Sequence, residues 1–253
     1  MKKIKVLLVG ESWLSTGSHQ KGFDHFSTGI YETGHEYLQK ALDSSGYIGC
    51  THMPSHLASE AFPETLEELG KYDVVILSDI GSNTLLLSKK VFAEGKTAPN
   101  RLRLIKEWVE QGGGFCMCGG YLSFAGIQGL AKYFRTPIED ILPVSIHTFD
   151  DRFETPEGAR TTVIEHDHPI VQGVQGTWPP LLGYQEAVMK EGATLIAKSQ
   201  YGHPLLASWE YGKGRTFAWM TDIGPHWCPK AFVEWDGYQK IWQQAMLWLA
   251  KGN

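Results

Sequence analysis

The stretch with the clearest potential for chemistry is residues 112–124, in which Cys118 follows a short apolar segment and precedes Gly119 and Gly120. A nucleophile displayed at the end of a buried strand needs small neighbours, because its own backbone is strained and the adjacent chain passes close. If a helix follows, as we expect here, its first backbone N–H groups can stabilise a thiolate or a developing oxyanion. This nucleophile-elbow pattern predicts a reactive thiol at Cys118.

Cys118 has a second interpretation, as a small buried residue that fills space at a tight turn. Free cysteines are among the most buried residue types, and strand-then-glycine turns are common in α/β folds. The sequence leaves both interpretations open. Cys116, two residues earlier on the same predicted strand, is expected to lie in the core.

The elements that must position this thiol are those of a parallel α/β sheet. Residues 5–9 and 73–77 are short apolar runs bounded by Gly, Asp or Ser, which is typical of strands covered on both faces. Between them, residues 32–45 carry an apolar stripe that ends at a glycine, which predicts a crossover helix. Residues 101–111 predict a second helix, which ends at glycines 112–114 before the strand that carries Cys118.

Beyond Pro143 the sequence changes to short segments with β propensity, separated by turn signals. A loop around Gly212 and Gly214 predicts a hairpin and therefore an antiparallel extension of the sheet. An amphipathic helix between Val233 and Lys251 is expected to dock on a sheet face. We predict one domain over residues 1–253. The predicted strands of the second half are residues 144–149, 160–165, 194–198, 205–210 and 216–220.

The predicted ligand crevice lies beyond the carboxyl ends of the strands, where open α/β sheets bind ligands. The segment after the first strand, residues 11–24, is read as a long loop over that crevice, and loops of this length are uncommon unless functional. A loop after the next predicted strand adds Asp79, and a late loop adds Asp222 and His226. We expect these loops to meet near Cys118. The candidate ligand-binding residues are Ser12, Trp13, His19, Lys21, Asp24, Asp79, Gly119, Gly120, Tyr121 and Trp227.

Several separate segments, in order along nearly the whole chain, resemble one known family. They are residues 9–13 (VGESW), 19–24, 112–124, 136–143, 168–170 and 221–227. The chain is similar to the glutamine amidotransferase-like proteins of the class I amidotransferase superfamily, close to the ThuA-like group. That resemblance implies an α/β fold, a flavodoxin-like three-layer α/β/α sandwich with a mostly parallel sheet and an antiparallel C-terminal extension.

The resemblance also implies roles for individual residues. Catalytic class I amidotransferases use a Cys-His-Glu triad, with the cysteine in a Gly-x-Cys-x-Gly turn and a late His-Pro-Glu. Cys118 matches the nucleophile, and His226 matches the general base. The residues after His226 are Trp227 and Cys228, so the usual orienting carboxylate is missing, and Asp222 or Glu11 is the substitute that geometry would allow.

Composition excludes several classes of function. A formal net charge of -5 and 20% charged residues leave no basic stripe for a phosphate backbone, so no nucleic-acid partner is expected. No window approaches the roughly 20 apolar residues of a spanning helix, so no membrane partner is expected. Four scattered cysteines indicate a reducing, cytoplasmic location. No cofactor or metal is predicted, because the His and Cys spacings fit no standard zinc pattern.

Two functions remain open at this point. The first is a cysteine-dependent amidase or hydrolase, in which Cys118, activated by His226, attacks a carbonyl carbon of a small polar substrate. The second is a binding protein that holds a small, sugar-like ligand in the same crevice without covalent chemistry. A homo-oligomer is compatible with either function, although no segment identifies its interface.

Overall fold

One mixed sheet of eight strands forms the centre of the molecule, and helices cover both of its faces. The computed structural model describes residues 3–250. The order of the eight strands is β4-β1-β5-β6-β14-β13-β12-β9, and residues 3–250 form fourteen strands. They are β1 (Ile4–Gly10), β2 (Ser12–Lys21), β3 (Asp24–Thr33), β4 (Ile48–Met53), β5 (Val74–Ser78), β6 (Gly114–Cys118), β7 (Val144–Ser145), β8 (Arg152–Ala159), β9 (Thr161–Val163), β10 (Leu181–Gln185), β11 (Val188–Met189), β12 (Thr194–Ser199), β13 (Pro204–Tyr211) and β14 (Gly214–Trp219).

The parallel part of the sheet comprises β4, β1, β5, β6 and β14, and the last three strands continue it antiparallel. All residues of β5 and β6 are buried, because helices cover both faces there. This arrangement confirms the predicted three-layer α/β/α sandwich with an antiparallel extension. The register aligns Gly10 with Ser78 and Cys118 with Trp219, so four strands end at one level. Residues that follow those ends are therefore brought together.

Two helices pack on one face of the sheet and several others on the other. Helices α1 and α9 contact each other, and α9 crosses β1, β5, β6 and β14. The apolar stripe of α9 is fully buried, and each such large side chain stabilises the fold by about 1.5–3 kcal/mol. The helices are α1 (Glu36–Asp43), α2 (Ser55–Ala61), α3 (Leu66–Leu69), α4 (Ser82–Leu86), α5 (Lys89–Phe92), α6 (Arg101–Glu110), α7 (Pro137–Ile141), α8 (Lys230–Val233) and α9 (Asp236–Ala250).

The segment after β1 differs from its prediction. Residues 11–24 were expected to form a loop, but β2 and β3 form an antiparallel hairpin that turns at Gly22 and Phe23. The predicted helix over residues 32–45 begins only at Glu36, because β3 continues to Thr33. A strand predicted over residues 144–149 is reduced to the two residues of β7.

The predicted hairpin between β13 and β14 is confirmed, with Tyr211 opposite Gly214. The predicted closing helix is also confirmed as α9. Two further two-stranded sheets, β8 with β10 and β7 with β11, were not predicted. Within residues 3–250, no helix is both long enough and apolar enough to cross a membrane.

Candidate functional site

A pocket of ≈ 410 Å³ opens at the level where β1, β5, β6 and β14 end. Its position is the one predicted from the sheet topology, beyond the carboxyl ends of the parallel strands. Six of the predicted site residues line it, together with three residues that the sequence did not suggest. The lining residues are Glu11, Trp13, Gly34, Asp79, Tyr121, Asp222, Gly224, Pro225 and His226.

Glu11 and Asp79 are held by strained backbone at the ends of neighbouring strands. Their φ angles are +49° and +44°, in the left-handed region that non-glycine residues rarely adopt. The chain must turn sharply there, since a Cβ on Gly10 would lie 1.8 Å from the carbonyl oxygen of Ser78. The Glu11 N–H donates to that same carbonyl at 3.1 Å. Such strain persists only where the surrounding structure enforces it, and it clusters at functional sites.

Two carboxyl groups of this pocket, those of Glu11 and Asp79, have raised pKa values. Burial, followed by the charges of Asp79 and Asp222, raises the pKa of Glu11 well above its ordinary value, although Ser78 Oγ donates to it at 2.5 Å. Burial raises the pKa of Asp79 to about 6, against the opposing effect of the Leu122 N–H, which donates to its Oδ1 at 2.6 Å. The raised pKa of Glu11 favours its protonated form, which can donate as well as accept hydrogen bonds.

Asp222 and His226 form a pair on the loop after β14. His226 Nδ1 lies 2.8 Å from Asp222 Oδ2, and the same oxygen accepts the backbone N–H of Trp227 at 3.0 Å. The hydrogen bond to Asp222 raises the pKa of His226 above its ordinary value. This pairing fixes the ring through Nδ1 and leaves Nε2 to act toward the pocket, as in a carboxylate-supported general base.

Aromatic rings form the walls of the pocket. Trp13 is 42% exposed. Tyr121 packs edge-on to His226 with ring centroids 5.0 Å apart. Arg152 lies 4.7 Å from the Tyr121 ring centroid on the outer side. Glu154 accepts the Trp227 Nε1 hydrogen at 2.8 Å and so holds the ring on which His226 stacks. The rings of Trp13 and Tyr121 give the pocket apolar walls beside its carboxyl groups.

The prediction of an exposed thiol at Cys118 is wrong. Its side chain is 0% exposed and belongs to the apolar core. Burial, and then Cys116, whose sulfur lies 3.9 Å away, raise the pKa of Cys118 well above its ordinary value. Cys118 is also not among the positive-φ residues of the described chain, so the strained elbow is at Glu11 and Asp79 instead.

The helix expected after Cys118 is absent. Turns occupy residues 119–126, and the first helical segment is a short 3₁₀ turn at Ile127–Gly129. The predicted oxyanion donors already have partners, since Gly119 N–H donates to Trp219 O at 2.7 Å and Gly120 N–H to Gln185 Oε1 at 3.2 Å. A sulfur in this position therefore lacks both the helix terminus and the free donors that nucleophilic catalysis requires.

Several predicted ligand-binding residues lie away from the pocket. His19, Lys21 and Asp24 are near the tip of the β2–β3 hairpin, and a strand rises about 3.3 Å per residue, so Lys21 is roughly 26 Å from Trp13. Ser12 is buried, and its Oγ accepts the Ser55 N–H at 2.8 Å. Trp227 is 1% exposed behind His226. The unpredicted β2–β3 hairpin is what places His19, Lys21 and Asp24 away from the pocket.

Gln185 is the main residue that the sequence analysis missed. Its buried amide accepts from Gly120 N–H and donates to Gly120 O at 2.6 Å, which pins the turn after Cys118. It belongs to β10, a strand for which no sequence signal was found. Within residues 3–250, no group of three or more His, Cys, Asp or Glu side chains is arranged to hold a metal ion.

Comparison with known proteins identifies the family. A family model described as "Putative glutamine amidotransferase" matches residues 5–251. The chain belongs to this glutamine amidotransferase-like family, as its motifs indicated. No curated protein matches the chain significantly.

Solved structures share the fold of this chain. A cytoplasmic protein from Salmonella typhimurium is 41% identical, with 97% of this chain and 99% of that chain covered and a TM-score of 0.93. A second cytoplasmic protein, from Salmonella typhimurium LT2, is 39% identical, with the same coverage and a TM-score of 0.92. A ThuA-like protein from Parabacteroides merdae ATCC 43184 shares the fold at 15% identity and a TM-score of 0.62, with 100% of this chain and 91% of that chain covered.

Proposed function

We propose that this protein binds a small, hydroxyl-rich and uncharged molecule, with sugars as the class that fits best, in the pocket above Cys118. One observation carries the proposal: three carboxyl groups, one imidazole and two aromatic walls meet in a single pocket, while the family's cysteine position is buried below it. Carboxylates and imidazoles accept hydrogen bonds from hydroxyl groups, and aromatic faces pack on the apolar faces of sugar rings.

The charge of the pocket supports an uncharged ligand. Glu11, Asp79 and Asp222 line it, whereas none of its nine lining residues is Lys or Arg. A phosphate or carboxylate ligand would be repelled by whichever of these groups is ionised and would find no guanidinium or ammonium partner among the lining residues. In its protonated form, Glu11 adds one hydroxyl donor to the set of acceptors.

A second candidate function rests on the Asp222–His226 pair. With Nδ1 fixed by Asp222, His226 Nε2 can accept a proton from a bound hydroxyl group, and Asp79 beside it can hold or release a proton near neutral pH. This would be non-covalent acid–base chemistry on the bound ligand. A cysteine-nucleophile hydrolase is the less favoured alternative, because it requires Cys118 to become exposed.

A thermal-shift screen against neutral sugars, sugar acids, amino acids and nucleotides tests the proposal. A neutral sugar at 100 times its Kd should stabilise the fold by about 2.7 kcal/mol, with little shift from the anionic compounds. Cys118→Ala should keep the binding, and His226→Ala should weaken it about tenfold or more. His166→Ala, at an exposed histidine outside the pocket, is the matched control. Binding only by anionic compounds, or its loss in Cys118→Ala with the fold intact, would contradict the proposal.

A further inference from the structure

The β2–β3 hairpin is an arm with little support from the rest of the chain. Of its twenty strand residues, all except Ser12, Gly17 and Thr33 are exposed. Its contacts with the body are at its base, where Ser12 meets Ser55 and the Tyr31 ring lies 5.4 Å from that of His56. An isolated two-stranded hairpin is marginally stable in water, and three or more strands are needed for stability. The arm therefore needs a further strand.

The arm is also unusually apolar for an exposed element. Its large exposed side chains are Trp13 (42%), Leu14 (66%), Phe23 (109%), Phe26 (47%), Ile30 (64%) and Tyr31 (50%). Its Asp, Glu, Lys and Arg residues are confined to Lys21, Asp24 and Glu32. This composition does not suit a nucleic acid or an anionic membrane surface, both of which select for basic residues. The 22 residues from Ser12 to Thr33 match the 20–30 residues that one partner contributes to a standard protein interface.

We propose that the arm pairs with the same arm of a second copy, β2 against β2 in antiparallel register about a twofold axis at Gly17. Within the described residues, the outer edge of β2 has no strand partner, and such an edge is a template for pairing. A twofold axis perpendicular to a sheet requires paired residues to lie on the same face. The register centred on Gly17 meets that requirement and pairs all of residues 13–21.

This register is self-complementary in charge. Trp13 lies opposite Lys21 of the partner subunit, which places that ammonium group over an aromatic ring. Within one arm, Trp13 pairs with Glu32 and Lys21 with Asp24. The four residues that lie side by side across the four-stranded sheet are therefore Glu32, Trp13, the partner's Lys21 and the partner's Asp24. Positive and negative groups therefore alternate with no like charges in direct opposition.

The same pairing completes the candidate site. Trp13 lines the pocket, so the partner's Lys21 would lie at its mouth, where its ammonium group can donate hydrogen bonds to the hydroxyl groups of a bound ligand. The turn of the partner's arm would then pack beside the pocket, which accounts for the complete exposure of Phe23 in one chain. This consequence rests on the proposed function, whereas the pairing itself does not.

Cysteine cross-linking tests the pairing without any ligand, so its failure is distinguishable from a failure of the proposed function. We expect the wild-type chain to sediment as a dimer at micromolar concentration. Gly17→Cys should form a covalent dimer with copper–phenanthroline, in which dissolved oxygen oxidises the two facing thiols, because opposed residues in antiparallel strands lie within disulfide distance. Gly17 does not have a positive φ, and a Cβ there would meet only side-chain atoms, the nearest being Thr28 Oγ1 at 3.1 Å, which can move aside, so the fold should tolerate the change.

Thr28→Cys is the matched control. Thr28 lies opposite Gly17 within one arm, so in the dimer the two copies of Thr28 are three strand spacings apart, roughly 14 Å. It should not cross-link. A monomeric wild type, equal cross-linking at both positions, or a dimer that cross-links at neither would overturn the proposal.

Discussion

His226 Nδ1 and Asp222 Oδ2 lie 2.8 Å apart on a single loop, and this contact fixes the imidazole at the edge of the pocket. Asp222 is 87% shielded from solvent, as 13% of its side chain is exposed, whereas His226 is half exposed. The carboxylate is thus the fixed member of the pair. The imidazole is the member that meets a ligand.

Removal of the Asp222 charge should lower the pKa of His226. Asp222→Asn deletes the hydrogen bond that raises this pKa, so we expect the pKa to fall toward its ordinary value. An NMR titration of the His226 ring measures it directly, with Asp24→Asn at the tip of the arm as a control that should change nothing. An unchanged pKa in Asp222→Asn would mean that Asp222 does not control the imidazole.

Loss of the Gln185 amide should destabilise the fold strongly. Gln185→Ala leaves the Gly120 N–H buried and without its partner, and leaves Gly120 C=O with only the Ser123 N–H at 3.2 Å, at a cost of about 1–3 kcal/mol. Urea unfolding gives the value. Gln200→Ala removes an exposed amide that bonds only Arg160 and should cost about 0.5 kcal/mol or less. Equal costs for the two variants would contradict the assigned role of Gln185.

Glu11 should make the protein less stable as the pH rises. Its pKa is raised in the folded state, so the folded protein binds this proton more tightly than the unfolded chain. Stability from this group is fully present below the unfolded pKa of about 4.3 and is lost as the pH rises through the folded pKa.

Glu11→Gln keeps the shape of the side chain and removes the ionisation. The variant should therefore gain stability relative to wild type at pH 8 but not at pH 4, as measured by urea unfolding at both values. A variant that is less stable than wild type at pH 8 would show that the ionised carboxylate is the stabilising form.

The buried centre of the fold could be predicted from the sequence, because strands covered on both faces leave continuous apolar runs such as those in β1, β5 and β6. The β2–β3 arm could not be predicted, because its strands are rich in Ser, Thr and Gly and bury no face that would impose alternation of apolar and polar residues. Its length removed His19, Lys21 and Asp24 from the pocket.

The burial of Cys118 was likewise beyond the sequence. The turn after Cys118 is held by Gln185, which is 65 residues away from Gly120 along the chain and belongs to the β8–β10 pair. By contrast, Asp222 and His226 are four residues apart on one loop, and their pairing was among the alternatives that the sequence left open. A contact between two residues of one loop could be anticipated from the sequence, whereas the burial of Cys118 by distant parts of the chain could not.

Thiol reactivity tests the central claim most directly. The native protein is treated with iodoacetamide across neutral and alkaline pH, and the modified cysteines are mapped by mass spectrometry. Cys118 should stay unmodified until the protein is unfolded, while half-buried Cys50 reacts before it. Rapid alkylation of Cys118 in the folded protein at neutral pH would show an accessible, activated thiol. That result would contradict the account and support Cys118 as the nucleophile of this site.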